Sequence, residues 1–276
     1  MSLVDSSMKT IFVTGCSTGI GAEIVNFYLN KGYKVIATAR RKADIDHLHS
    51  LGAHAIHCEL SDQVSIDQCI GEVCSITDKL DCIICNAAYG QAGAVADLDF
   101  STLHYQFSVN VFGTIELLRR LIPLLKLSSV AKVIFISSIL GVVTSPYLGA
   151  YCASKHALES LITALRMEFY GQSIYFSSVR PGQIKTNFRS TAETMFDKTI
   201  AKSAAVDMHS YESFRHKVEL NKQKDRGLPP AAVVKTIDRV VNAKRPKRAY
   251  YVTYEAHFLG RLQRFLPSFV YVNYII

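Results

Sequence analysis

Lys9 to Thr14 (KTIFVT) is a short apolar run with the look of a strand. It passes without a break into Gly15-Cys16-Ser17-Thr18-Gly19-Ile20-Gly21, and then into an amphipathic stretch to about Asn30. A strand that ends on spaced glycines and turns straight into a helix leaves few folds open. The glycines permit a tight turn and close backbone approach, and the helix N-terminus attracts a phosphate or pyrophosphate. The spacing is G-x-x-x-G-x-G rather than G-x-G-x-x-G. A glycine-rich turn alone says little; this one stands in the strand–turn–helix frame that phosphate binding requires.

The same rhythm continues along the chain. Strands are expected at Tyr33–Ala39, His54–Cys58, Asp81–Cys85, Val133–Ser137, Ile174–Arg180 and Ala249–Thr253. Between them lie helical patterns from Asp62, a good N-cap, to about Thr77, over Leu98–Lys126 with a break or two, and over Ala150–Tyr170. Pro229-Pro230 opens a further helix to about Asn242. Strands alternating with helices imply an α/β fold: a doubly wound, Rossmann-like parallel sheet of about seven strands with helices on both faces. Ligands of such sheets lie beyond the carboxyl ends of the strands.

Asn187 to Gly227 breaks the pattern. It is polar and irregularly amphipathic, with Met195, Phe196, Met208 and Phe214, and reads as one or two helices forming a lid. The tail from Tyr254 to Ile276 is aromatic and basic and is interrupted by Pro267. Packing over a substrate entrance, a subunit contact and a membrane surface are its three readings, in that order. The expected organisation is one domain over residues 9–276, with the lid at about 187–227 and the tail at 254–276. Residues before Lys9 are left out of the fold: Met1-Ser2-Leu3 reads as a leader, and Met8 is a second start.

Composition narrows the class. The chain of 276 residues is 49% hydrophobic and 20% charged, with a net charge of +8. Its basic residues form no dense tract, which favours an anionic cofactor and a solvated surface over nucleic acid. No run of 18 apolar residues is present, so no spanning helix is expected; a peripheral membrane contact stays open. Seven scattered cysteines and no evident secretory signal point to reduced thiols in a cytoplasm. Cys82 and Cys85 form C-x-x-C inside a buried strand, where structural cysteines are the simpler reading. The nine histidines show no metal pattern.

The chemistry concentrates in Ser138–Lys155, SILGVVTSPYLGAYCASK. Tyr151 and Lys155 are four residues apart, one turn on one helical face. A phenol with an ordinary pKa of about 10 is a poor base. A neighbouring cation favours the phenolate and lets the same Tyr give or take a proton near neutrality. Ser138, delivered by a strand end, can hold a substrate oxygen. The plain alternative is a strand, a loop and an ordinary Ala-rich helix. Asn110, inside the apolar FSVNVFG, either satisfies a local backbone group or belongs to the site. Asn86-Ala87-Ala88-Tyr89-Gly90 is a small-residue turn able to pass under a cofactor.

The second strand ends in Ala39-Arg40-Arg41-Lys42. A carboxylate there would hold the ribose 2′-hydroxyl of NAD, whereas an arginine suits a 2′-phosphate. Arg40 either binds that phosphate or is a solvated strand cap. The glycine loop supplies no second basic residue, so a preference for NADP(H) can be modest, and NAD(H) remains an alternative.

Together these motifs resemble the short-chain dehydrogenase/reductase family over about Lys9–Val252. Thr14-Gly15-x3-Gly19-Ile20-Gly21 is similar to its cofactor loop. Asn86-Ala87-Ala88 stands where the family has Asn-Asn-Ala-Gly, with Cys85 for the first Asn and Ala88 for the Gly. Asn110, Ser138, Tyr151 and Lys155 match its catalytic tetrad, including the thirteen-residue step from Ser to Tyr. Pro181-Gly182, with Ile184 and Thr186, matches the nicotinamide-side motif, and Glu59-Leu60 replaces the usual Asp-Val near the adenine.

The resemblance implies an oxidoreductase that moves a hydride between a nicotinamide and a small-molecule carbonyl or alcohol. Tyr151 would be the general acid in reduction and the base in oxidation. Lys155 would lower its pKa and hold the nicotinamide ribose, Ser138 would bond the substrate oxygen, and Asn110 would anchor a relay water. Gly15, Ser17, Thr18, Gly19, Ile20, Gly21, Arg40, Arg41, Glu59, Leu60, Asn86, Ala87, Pro181, Gly182, Ile184 and Thr186 would line the cofactor with Tyr151 and Lys155. The apolar lid and tail resemble those of relatives acting on steroids, retinoids and other lipophilic alcohols. A non-catalytic NADP(H)-sensing protein of the same fold is the competing reading, and lyase or epimerase chemistry is a third. The helices bearing Asn110 and Tyr151 carry more apolar and small residues than one sheet face can cover, which implies a homo-dimer or tetramer.

Overall fold

The computed structural model describes residues 8–200, 208–212 and 227–262. Phe214 of the expected lid and the tail beyond Leu262 lie outside the described residues. The strands are β1 (Thr10–Val13), β2 (Lys34–Ala39), β3 (His54–His57), β4 (Cys82–Cys85), β5 (Ala131–Ile136), β6 (Ile174–Arg180) and β7 (Ala249–Tyr251). They form one sheet in the order β3-β2-β1-β4-β5-β6-β7, and every pairing is parallel. The order reverses between β1 and β4, which makes the β1/β4 edge the switch point of the sheet.

Helices cover both faces: α1 (Gly19–Asn30), α2 (Lys42–Ser50), α3 (Gln63–Ile76), α4 (Phe100–Phe107), α5 (Thr114–Lys126), α6 (Gly149–Glu168), α7 (Phe188–Thr199), α8 (Pro230–Asn242) and α9 (Tyr254–Leu262). Because strand side chains alternate, each strand feeds two cores. On one face Phe12, Ile83, Val133 and Phe176 meet Leu117 and Leu121 of α5 and Leu158 and Ile162 of α6. On the other, Ile11, Val13, Ile84 and Ile134 meet Ile24 and Tyr28 of α1 and Val233 and Ile237 of α8. Cys82 and Cys85 fall on opposite faces, in different cores, and all seven cysteines are free thiols. A shared metal or disulfide is therefore closed to that pair, and the structural reading holds. No helix of the described residues is long and apolar enough to cross a membrane.

Two departures from the sequence reading bear on the site. Helix α2 has no counterpart among the expected elements; its charged sequence, KADIDHLHS, buries only Ile45 and Leu48. The break expected within Leu98–Lys126 is a π-helical turn, Ser108–Gly113, joining α4 to α5. Such turns insert one residue into a helix and cluster at functional sites. This one carries Asn110. Asp62 caps α3 as expected, its carboxylate accepting from the Val64 amide at 3.0 Å.

Gly113 closes the π-helical turn against the loop after β3. A Cβ there would lie 1.8 Å from the Leu60 carbonyl oxygen. Gly71, within α3, faces open space. Gly113→Ala is expected to destabilise the fold by about 1–3 kcal/mol through overpacking. Gly71→Ala is expected to stabilise it by about 0.5–1 kcal/mol through helix propensity. Urea melts of the two variants check the pair, and equal midpoints would contradict it.

Candidate active site

The site starts at the end of β1. Gly15 and Gly19 take φ of +70° and +60°, which side chains disfavour. A Cβ on Gly15 would stand 2.7 Å from Ala87 Cα, and one on Gly21 would stand 2.1 Å from the Gly15 oxygen. The turn is thus pressed against the chain leaving β4. The Asn86 amide donates to the carbonyls of Thr14 at 3.0 Å and Gly15 at 2.9 Å. In return the Thr14 hydroxyl accepts from the amides of Asn86 and Ala87, each at 3.0 Å. The Gly15 amide donates to the Thr38 hydroxyl. Thr38 was not among the expected site residues, and Thr14 was read only as the first residue of the loop motif; the bonds of both depend on neighbours far off in sequence.

Helix α1 begins beside this turn with Thr18 as N-cap, no side-chain cap bond and no acidic residue in its first turn. Its leading amides are therefore available to an anion. Ser17, Thr18, Gly19 and Ile20 line a cleft of about 1670 Å³ with Asn86, Ala87, Pro181, Gly182, Ile184 and Thr186. These residues fit a dinucleotide: the glycine turn has the positive-φ backbone of a phosphate loop, and the uncapped helix end beside it favours phosphate.

Arg40 lies at the cleft edge, its side chain 64% exposed, with Nη1 3.2 Å from Glu59 Oε2. Glu59 and Leu60 line the cleft as expected. The strand end itself has no carboxylate, but the end of β3 brings one to it. Arg41 forks onto Asp44 at 2.8 and 2.6 Å and is not among the residues that line the cleft. The cause is α2, whose first turn sets Asp44 three residues beyond Arg41. Gly21 likewise acts behind the wall, by allowing α1 to touch Gly15.

At the far end of the cleft β5 delivers Ser138, and α6 delivers Tyr151 and Lys155. Ser138 is extended, with φ −159°, and its hydroxyl oxygen accepts from the Leu140 amide at 3.0 Å. That leaves its proton to donate, and it bonds the Tyr151 phenol. The Ile139 amide donates to the Pro181 carbonyl at 2.9 Å, tying the Ser138 turn to the end of β6. Lys155 Nζ donates to the Ile136 carbonyl at 2.8 Å and lies 5.9 Å from the centre of the Tyr151 ring. Tyr151 also meets Phe188 of α7, with ring centres 5.0 Å apart.

Burial dominates the electrostatics of this cluster. Burial pushes the Tyr151 phenol well above its ordinary value, and the hydrogen bond from Ser138 is the influence that lowers it. Burial also brings the Lys155 ammonium down to about 8, with Glu159 acting against that. Ser138 is thus the hydrogen-bonding group that draws the phenol toward phenolate, with the Lys155 ammonium on the same helical face one turn away.

Asn110 stands behind the cleft, not on its wall. Its Oδ1 accepts from the Tyr89 amide at 3.1 Å, and its Nδ2 donates to the Tyr89 carbonyl and to Ser154 Oγ, both at 3.0 Å. Ser154 in turn donates to the Tyr151 carbonyl at 2.7 Å. Both amide protons are spent on holding the β4 loop and α6 in place. Two further residues escaped sequence reading, Glu159 and Arg180, paired in the interior beside Lys155. The signals were there: Glu159 is four residues past Lys155, and Arg180 immediately precedes Pro181-Gly182.

Comparison with known proteins agrees with this arrangement. The model of the short chain dehydrogenase family matches residues 9–196. The uncharacterized oxidoreductase YbbO of Escherichia coli K12 is 31% identical over 94% of this chain and 91% of its own. An NADPH-dependent 3-dehydrocapnine reductase of Ornithobacterium rhinotracheale is 32% identical over 89% of this chain and 88% of its own. The structure of a short-chain dehydrogenase from Streptomyces avermitilis superposes with a TM-score of 0.80 at 26% identity, covering 95% of this chain and 93% of that one. With the glycine turn, the Ser138–Tyr151–Lys155 cluster and the parallel sheet in their places, the chain belongs to the short-chain dehydrogenase family of oxidoreductases.

Proposed function

We propose that the protein is an NADP(H)-preferring oxidoreductase acting on a lipophilic ketone, aldehyde or alcohol of steroid- or retinoid-like character, working in the cytoplasm as a homo-oligomer. The observation that carries the reading is the meeting of Ser138, Tyr151 and Lys155 at the end of a cleft whose other end is the glycine turn. A bound nicotinamide supplies the hydride. The chain's residues do the rest. Tyr151, protonated at neutral pH, gives its proton to the substrate oxygen in reduction and recovers it in oxidation. Ser138 donates to that same oxygen, and Lys155 holds the ribose beside Tyr151. Asn110 fixes the β4 loop and α6 so that these groups keep their spacing; its spare acceptor capacity would anchor a relay water.

The lipophilic substrate is supported by the wall near Tyr151, where Ala92, Leu148, Phe188, Met195, Phe196 and Leu259 gather. Part of that wall is α7, the first helix of the proposed lid, and α9 opens the proposed tail. A cytoplasmic setting is supported by the seven free thiols. Assembly is supported by Phe100 of α4, Phe112 of the π-helical turn and Leu161 and Met167 of α6, all exposed. A dimer or tetramer is expected in sedimentation at micromolar protein, and a monomer alone would contradict it.

Tyr151→Phe is expected to keep the fold and cofactor binding while lowering turnover by at least about a hundredfold. Steady-state rates with NADPH and a panel of lipophilic carbonyl compounds measure this; wild-type turnover in the variant would overturn the reading.

The NADP(H) preference rests on Arg40. A 2′-phosphate offers it a charge-assisted partner in place of the exposed Glu59 contact. A bond to a charged group contributes about 1.5–3 kcal/mol, or about one to two decades in affinity. NADPH is expected to bind at least about tenfold more tightly than NADH. Arg40→Ala removes most of the difference, and Glu59→Gln enlarges it by freeing Arg40. Dissociation constants at one ionic strength decide this; equal or tighter NADH binding would make Arg40 a solvated strand cap.

A further inference from the structure

Tyr151, Lys155 and Glu159 occupy successive turns of one face of α6, and all three are buried. Arg180, at the end of β6, clamps Glu159 with a fork: Nε lies 2.7 Å from Oε1, and Nη2 bonds Oε2. The remaining nitrogen, Nη1, donates to the Tyr251 hydroxyl at 2.9 Å, and the guanidinium lies 5.3 Å from the centre of that ring. Tyr251 is the register partner of Arg180 across β6 and β7. Arg180 therefore spends its charge inside the protein, one residue before the Pro181-Gly182 turn.

A buried ammonium is costly unless it is compensated. Lys155 is 2% exposed. Its partners are few. The β5 side offers the neutral Ile136 carbonyl. The β4 side offers the Cys85 thiol, which burial holds neutral by pushing it up to about 12. The π-helical turn offers Asn110, an uncharged amide already bonded elsewhere. On α6 itself stand Tyr151, protonated, and Glu159. From β6 comes Arg180, turned onto Glu159. Glu159 is the one carboxylate in this set. It also touches the Ser138 turn: a Cβ on Gly141 would lie 3.2 Å from both Glu159 Cγ and the Lys155 carbonyl.

We propose that Glu159 is a positioning residue for the active site: clamped by Arg180, its carboxylate keeps the buried Lys155 charged and locks the catalytic helix to the Pro181-Gly182 and Ser138 turns. The inference rests on the roles given above to Tyr151 and Lys155. Burial already draws Lys155 down to about 8, and Glu159 opposes that fall. Removing the carboxylate leaves Arg180 as a second, uncompensated cation nearby. Both changes favour neutral Lys155, so its proton is lost at lower pH. A purely structural ion pair predicts something else: lower stability or affinity at every pH, with no change in where Lys155 titrates.

The test is the dissociation constant of NADPH, read from its fluorescence, from about pH 6 to 10, a range that brackets the titration of Lys155. Wild-type affinity is expected to weaken as Lys155 loses its proton. Glu159→Gln is expected to move that alkaline limb down by about one pH unit or more, the scale on which a neighbouring charge acts. Glu159→Asp, which keeps the charge, is expected to hold it near the wild-type position. Should Glu159→Gln not fold, the double variant Glu159→Gln/Arg180→Met removes the stranded guanidinium as well and carries the same expectation, with a smaller displacement. An alkaline limb unmoved in a folded Gln variant, moved equally by Asp, or absent from the wild type overturns the inference. Failure of the catalytic reading shows separately, as full turnover in Tyr151→Phe. An inactive Tyr151→Phe beside an unmoved Glu159→Gln limb overturns this inference alone.

Discussion

The contact between the Gly15 turn and the chain leaving β4 is the constraint on which the cleft depends. Thr14 and Asn86 exchange hydrogen bonds across it, and Gly15 approaches Ala87 more closely than any side chain would allow. The contact sits where the strand order reverses, so α1 leaves on one side of it and α5 and α6 pack on the other. Fixing this edge fixes the origin of the helix amides, and the next strand, β5, then brings Ser138 to the same rim.

At the other end of the cleft, burial competes with charge. The interior raises the Tyr151 phenol and lowers the Lys155 ammonium, so it holds both toward their neutral forms. Two polar groups lean the other way: Ser138 on the phenol and Glu159 on the ammonium. The balance gives a phenol ready to donate at neutral pH beside a lysine poised near its own titration. That lysine's charge depends on groups outside the wall of the cleft.

Much of this was legible in the sequence because it is local. Apolar runs such as KTIFVT and VIFIS have the length and composition of buried strands, and glycines at 15, 19 and 21 mark a turn whose geometry few other residues can adopt. Tyr151 and Lys155 share a face by helical spacing alone. Helix α2 was not legible, since two buried residues in nine give almost no periodic signal. The π-helical turn at Asn110 was visible only as an interruption, because the groups that Asn110 bonds from it, in Tyr89 and Ser154, are 21 and 44 residues away. The partners of Arg40 and Arg180 were hidden for the same reason: Glu59 comes from the end of the neighbouring strand and Glu159 from α6, 19 and 21 residues off in sequence. The Asp44 partner of Arg41 was not legible either, because a charge at a strand end says nothing of the carboxylate that the next helix offers it.

A crystal structure of the protein with NADPH tests the central claim most directly. The account places the pyrophosphate over Ser17–Gly21 at the start of α1, the adenosine end beside Arg40 and Glu59, and the nicotinamide against Tyr151, with Thr186 and Lys155 in contact with that half of the cofactor. A dinucleotide bound away from the β1/β4 edge, or one whose nicotinamide lies out of reach of Tyr151, would contradict it.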